Sequence, residues 1–171
     1  MVAPCSLPAV EELKEYYKYV PETGELFLIK ARCNADKKKV GKPIGSLGGP
    51  ARRKTWTIRH KGKSYYISRI AWVLMTGTDP GSLLVEHKNR NAQDNRWENL
   101  RLANETENNY NKIFVGYSKR KDTGLYRVRV TLDGTRITVG NFKNEEEAKK
   151  AALDARKLFY KEFACLDLES N

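Results

Sequence analysis

The sequence predicts an α+β protein in two small parts. Two turn signals, Lys61-Gly62-Lys63 and Asp133-Gly134, each join a pair of short runs with strand-like composition. Helical spacing occurs at Leu7, Val10, Leu13 and Tyr17, and again at Ala148, Ala151, Ala152, Ala155 and Phe159. A length of 171 residues accommodates one domain or two small ones and excludes a large α/β enzyme. The pattern changes at Asn111-Lys112, so the expected division is 1–112 and 113–171.

The opening helix places Glu11 and Glu12 near its positive N-terminal end. Pro21 and Gly24 force a turn, Glu25 to Ile29 forms a strand, and the Lys- and Gly-rich stretch from Ala31 to Gly49 reads as a loop and a site of mobility. TWTIRH and SYYIS form a hairpin, with Arg59, Lys61 and Lys63 at or near its tip. Histidine 60 is expected as a surface or phosphate-contacting residue. Ser68 to Thr76 reads as a buried helix capped by Gly77, and Asp79-Pro80-Gly81 enforces the break.

Between Leu83 and Asn111 the order is strand, polar loop, short strand and helix, a ββα unit. Leu83 to Val85 brings Glu86 and His87 to a strand end. Asn89 to Asn95 is the polar loop, Trp97 and Leu100 are apolar anchors, and Asn104 with Glu107 matches a capping pair. Beyond it, Phe114 to Lys119, Leu125 to Leu132 and Arg136 to Phe142 form three antiparallel strands. Asn144 caps a helix running from Glu145 to about Phe159. Alternation turns Tyr126, Val128 and Val130 toward that helix and leaves Arg127, Arg129 and Thr131 on the open face, which Arg136 and Thr138 extend.

At 40% hydrophobic and 31% charged residues the composition is that of a soluble globular protein, which excludes collagenous and generally disordered chains. The longest apolar run, Ile67 to Met75, is interrupted by Arg69 and falls short of the roughly 20 residues of a membrane helix. With no signal or transit pattern at the N-terminus, the expected location is the cytoplasm, with no membrane partner. Cys5, Cys33 and Cys165 are odd in number and far apart, which argues against a disulfide framework and a thiolate zinc site. The net charge of +11 calls for an anionic partner. Residues 1–51 carry 8 basic and 6 acidic side chains (+2), 52–112 carry 12 and 6 (+6), and 113–171 carry 12 and 9 (+3). The middle third is the most basic, its charges are interleaved with aromatics, and Arg52, Arg53, Arg59 and Lys61 are candidate DNA contacts.

A histidine at a strand end, its acidic neighbour and a helix amide are what metal-assisted phosphodiester cleavage requires. A neutral imidazole takes a proton from water, and a hard cation takes oxygen ligands. Glu86-His87, Asp94-Asn95-Arg96, Glu98-Asn99-Leu100-Arg101 and Glu107-Asn108 together resemble the HNH nucleases of phage and intron origin, whose pattern is D-H-x-[ND]-G, D-N-R-x-x-N-L-R and E-N. Pro21 to Phe27 and Arg69-Ile70-Ala71-Trp72 are similar to the leader of many phage members. The resemblance implies a ββα-metal fold, His87 as general base, Glu86 and Asn108 as ligands of one divalent cation, and Asn99 as the brace of the loop and the His. Mg²⁺ is the expected ion, with Mn²⁺ as substitute. Glu86 stands where Asp is usual, and Ser68 where many members carry His.

Residues 114 to about 165 resemble an AP2 DNA-binding domain through Gly116-Tyr117, Lys119-Arg120, Tyr126 to Val130, Arg136 to Phe142 with Gly140, and Glu146-Glu147-Ala148. That resemblance implies DNA contacts by Lys119, Arg120, Arg127, Arg129, Thr131, Arg136 and Thr138. Tyr126 and Thr138 stand where plant members have tryptophan. Together the two resemblances imply a homing-type endonuclease on double-stranded DNA, expected as a monomer on its site. The alternatives are a DNA-binding regulator with an inactive HNH domain and an RNA-binding basic protein.

Overall fold

The computed structural model describes residues 7–50 and 54–167, so the expected contacts Arg52 and Arg53, and Cys5, lie outside the described residues. The chain forms two compact units, Met1–Asn104 and Glu105–Asn171.

The first unit begins with α1 (Val10–Tyr16) and the hairpin of β1 (Tyr17–Val20) and β2 (Glu25–Leu28). Apolar spacing predicts a helix through Tyr17, but Tyr17 is extended and pairs with Leu28. Its hydroxyl also meets His60 at 2.7 Å. Aromatic and β-branched side chains in Tyr17-Lys18-Tyr19-Val20 favour the strand.

The stretch expected as a loop contains a 3₁₀ helix over Asn34–Lys39 and β3 (Ser46–Gly48). It is tied to β2 by Gly41 N–H to Leu28 C=O at 2.7 Å and Ile44 N–H to Leu26 C=O at 2.8 Å. Asp36 is buried there, accepting from Arg32 Nε at 2.5 Å.

β3, β4 (Thr55–His60) and β5 (Lys63–Tyr66) form an antiparallel sheet in that order, and Lys61 and Gly62 turn with φ of 47° and 80°. Parity places Trp56, Ile58 and His60 on the inner face. The expectation for His60 is therefore corrected: it is 2% exposed, with Nδ1 on Tyr17 and Nε2 2.6 Å from Glu12 Oε1.

α2 (Ile67–Thr76) buries Ile67, Ile70, Ala71 and Val73, and ends at left-handed Gly77, whose N–H reaches Val73 C=O. Together with Leu13, Leu26, Leu28 and Leu100, these residues form one core cluster. β6 (Leu84–His87) and β7 (Leu100–Ala103) complete the unit as an antiparallel pair, with Glu86 opposite Arg101 and His87 opposite Leu100.

The second unit contains α3 (Glu105–Tyr110), β8 (Tyr117–Lys119), β9 (Tyr126–Leu132), β10 (Thr135–Phe142) and α4 (Glu145–Tyr160). Its start precedes the change of sequence pattern because Tyr110 belongs to its packing. The Tyr110 ring stacks on Tyr160 at 4.0 Å, and its carbonyl accepts Cys165 N–H.

The sheet order is β10-β9-β8, all antiparallel. Val128 packs on Ala148 and Ala152, and Val130 on Ala155 and Tyr160. Small residues on α4 let the helix lie close to the sheet, and burying each valine stabilises the unit by about 1.5 to 3 kcal/mol. Asn144 Oδ1 caps α4 by accepting Glu147 N–H at 2.8 Å. Among the described residues no helix is long and apolar enough to cross a membrane.

Candidate active site and nucleic-acid interface

The connection from β6 to β7 is organised by one amide. Asn99 is buried; its Oδ1 accepts Asn89 N–H at 2.9 Å, and its Nδ2 donates to Asn89 Oδ1 at 3.0 Å and to Asp94 C=O at 2.7 Å. Its own carbonyl accepts Lys88 N–H at 2.8 Å. Asp94 takes a two-pronged contact from Arg96, Nε to Oδ1 and Nη2 to Oδ2, both at 2.8 Å, and a third bond from Asn89 Nδ2. The Arg96 guanidinium holds the Asp94 carboxyl well below the usual carboxylate range.

At the end of β6, His87 is half-buried, and its Nε2 lies 3.0 Å from Asn95 Oδ1. Burial is the largest influence on its pKa and lowers it; the bond to Asn95 and the charges of Asp94 and Glu86 oppose that shift. Burial therefore favours the neutral imidazole. An amide oxygen at Nε2 selects the tautomer with the proton there, which leaves the lone pair on Nδ1.

The Glu86 side chain is buried, and its Oε2 accepts Arg101 Nε at 2.7 Å. Its Oε1 is also buried and has no hydrogen-bond partner. A solvent-starved carboxylate oxygen of this kind suits a hard cation. No group of three or more His, Cys, Asp or Glu able to hold a metal occurs among the described residues. A cation at Glu86 would thus draw its remaining ligands from amide, water and phosphate oxygens, the set Mg²⁺ favours. Asn108 lies on α3 in the second unit and is half-buried.

The expected DNA contacts differ in how they are presented. Arg59 is exposed, whereas exposed Lys61 pairs with Glu12 Oε1 at 2.6 Å. In the second unit the register sets Arg136 opposite Thr131 and Thr138 opposite Arg129, on the face that also carries Arg127. A register shift between Thr138 and Gly140 bends β10 beside them. Lys119 lies opposite Tyr126, with Nζ 5.4 Å from its ring centroid, so its register puts it on the other face from the arginines. Arg120 is paired with Asp122.

Three residues of the site carried no assigned role in the sequence reading: Asn95, which bonds His87; Arg101, which pairs with Glu86; and Tyr19, whose hydroxyl donates to Asn95 C=O at 2.6 Å. Arg101 was legible in principle, because pairing the two strands of the ββα unit sets it opposite Glu86. Tyr19 carried no local signal.

Residues 65–110, from β5 to the end of α3, match the family model for HNH endonuclease. No curated protein and no solved structure matches the chain. The family match supports a nuclease acting on DNA.

Proposed function

We propose that this protein is a metal-dependent endonuclease that hydrolyses phosphodiester bonds in duplex DNA, of homing type, with an AP2-like second unit that reads the site. The observation that carries the reading is that consecutive residues of β6 present an imidazole bonded to Asn95 and a buried carboxylate oxygen without a hydrogen bond. Glu86 Oε1 would hold the cation, and the motif's spacing nominates Asn108 as the second protein ligand. When bound, the divalent cation supplies positive charge to the scissile phosphate. Water attacks phosphorus, His87 Nδ1 takes its proton, and the bond from phosphorus to the leaving oxygen breaks, that oxygen taking a proton from solvent water. Asn99 holds the connection that frames this site.

Charge supports DNA as the substrate. From Lys37 to Thr78 the chain has eleven Lys and Arg and no Asp or Glu. That segment includes the sheet β3-β4-β5, whose outer face offers Ser46, Thr57, Arg59, Ser64 and Tyr66 by register. Thr55 Oγ1 on the same face donates to Ala92 C=O at 3.1 Å, which joins the sheet to the catalytic connection. In the second unit, Arg127, Arg129, Thr131, Arg136 and Thr138 form the reading face.

Supercoiled plasmid incubated with wild type and His87→Ala, each with Mg²⁺, Mn²⁺ or EDTA, tests the proposal. Cation-dependent nicking or linearisation by wild type alone supports it, and nicked circles are the expected first product of a monomer. No conversion of a plasmid that the protein visibly binds would reject the nuclease in favour of a DNA-binding regulator.

A further inference from the structure

We infer that Tyr19, in the β1–β2 hairpin, is a positioning residue for the His87 base and acts through Asn95. The inference rests on the nuclease reading and adds a component that the catalytic motif does not contain. Tyr19 and Asn95 are 76 positions apart in sequence, yet the Tyr19 hydroxyl donates to Asn95 C=O at 2.6 Å. Both residues are buried, at 8% and 3% exposure, so neither group can exchange this bond for water without the local structure opening. Burial raises the pKa of the Tyr19 hydroxyl, which keeps it a donor at any working pH.

The hairpin grips the same peptide at two further points. Trp97 N–H donates to Pro21 C=O at 2.9 Å. Gly24 has φ +75°, and a Cβ there would stand 2.5 Å from both Arg96 N and Asn95 C. The backbone of 95–97 is thus held against the turn from Pro21 to Gly24. The side chain of Asn95 then carries this fixed position to the imidazole, with Oδ1 3.0 Å from His87 Nε2. A general base works only if its lone pair is aimed at the water it activates, and an error of about 1 Å can cost roughly 100-fold in rate.

A tyrosine that only fills the core would lose little function on losing its oxygen, so Tyr19→Phe separates positioning from packing. The chain has only two histidines, which makes the imidazole itself observable. His60 is bonded at both nitrogens, to Tyr17 and Glu12, and serves as the internal control.

The test compares full-length wild type, Tyr19→Phe, Asn95→Ala and Asn95→Asp, with His87→Ala to assign signals. Long-range ¹H–¹⁵N spectra at fixed pH report the His87 tautomer, and single-turnover DNA cleavage in Mg²⁺ is measured beside them with DNA affinity. Wild type should hold the proton on Nε2. Asn95→Ala should mix the tautomers and slow cleavage about 100-fold at unchanged DNA affinity. Tyr19→Phe should shift the His87 signals, leave those of His60 in place, and slow cleavage about 10-fold. Asn95→Asp, which keeps an acceptor oxygen, should recover much of the loss.

Unchanged His87 signals and rates in Tyr19→Phe and Asn95→Ala would overturn the inference while leaving the nuclease intact. If wild type cuts no DNA, the nuclease reading fails separately. The spectra then still decide the positioning role: displaced His87 signals in Tyr19→Phe support it, and undisplaced ones overturn it.

Discussion

Asn99 binds a backbone donor, a side-chain acceptor and a backbone acceptor in the same connection, so its loss leaves more than one buried polar group unsatisfied. Asn99→Ala should cost about 2 to 3 kcal/mol, read as a lowered urea midpoint, because each stranded group carries a penalty of about 1 to 3 kcal/mol. Asp94 adds a pH dependence whose sign is fixed by its partner. Arg96 depresses the folded-state pKa below the ordinary value of 3.8, so Asp94 contributes stability above that pH and loses it as pH falls through 3.8 toward the folded value. The stability gap between wild type and Asp94→Asn should therefore be widest above about pH 5 and narrow in acid, which urea titrations at several pH values would show. Glu86, His87, Asn99 and Asn108 stand out in the sequence as candidates because their spacing is local. The role of Asn95 as the partner of His87 could not, because it depends on how the connection folds. For His60 a signal existed, since Trp56 and Ile58 share its parity and mark an inward face. Its isolation among basic residues pointed the other way.

Short-range chemistry also decided which elements could be read from sequence. The Lys61-Gly62 turn, the Gly77 stop and the Asn144 cap each involve neighbouring residues, and each forms as the sequence implies. Asn144→Ala removes the oxygen that accepts Glu147 N–H, and should destabilise α4 and its sheet by about 1 kcal/mol, visible as faster amide exchange along the helix. β1 was missed because Tyr17 continues an apolar helical spacing, and only its pairing with Leu28 makes it a strand. β3 was missed because three residues among glycines and lysines carry no alternation, and β4 supplies its partner.

The net charge of +11 is spread over a whole molecule whose acid-free segment lies in the first unit and whose arginine face lies in the second. DNA affinity should fall steeply with salt, and each arginine that contacts a phosphate should contribute about 0.9 to the slope of log affinity against log salt. Replacing Arg127, Arg129 and Arg136 together should flatten that slope by about 2 to 3 if they hold phosphates, whereas base readers would instead lose site preference. Titrating a labelled duplex at several salt concentrations distinguishes the two. The division between Asn104 and Glu105 follows the stacking of Tyr110 on Tyr160, a contact between distant residues that sequence spacing does not display.

The tight seat of Gly24 also bears on how the chain can vary. A Cβ at Gly41 or Gly81 meets nothing within 4 Å, whereas at Gly24 it strikes main chain that cannot rotate away. A library randomised at these three positions and selected for plasmid cleavage should return Asn or Asp beside glycine at the first two. At position 24 only glycine should survive.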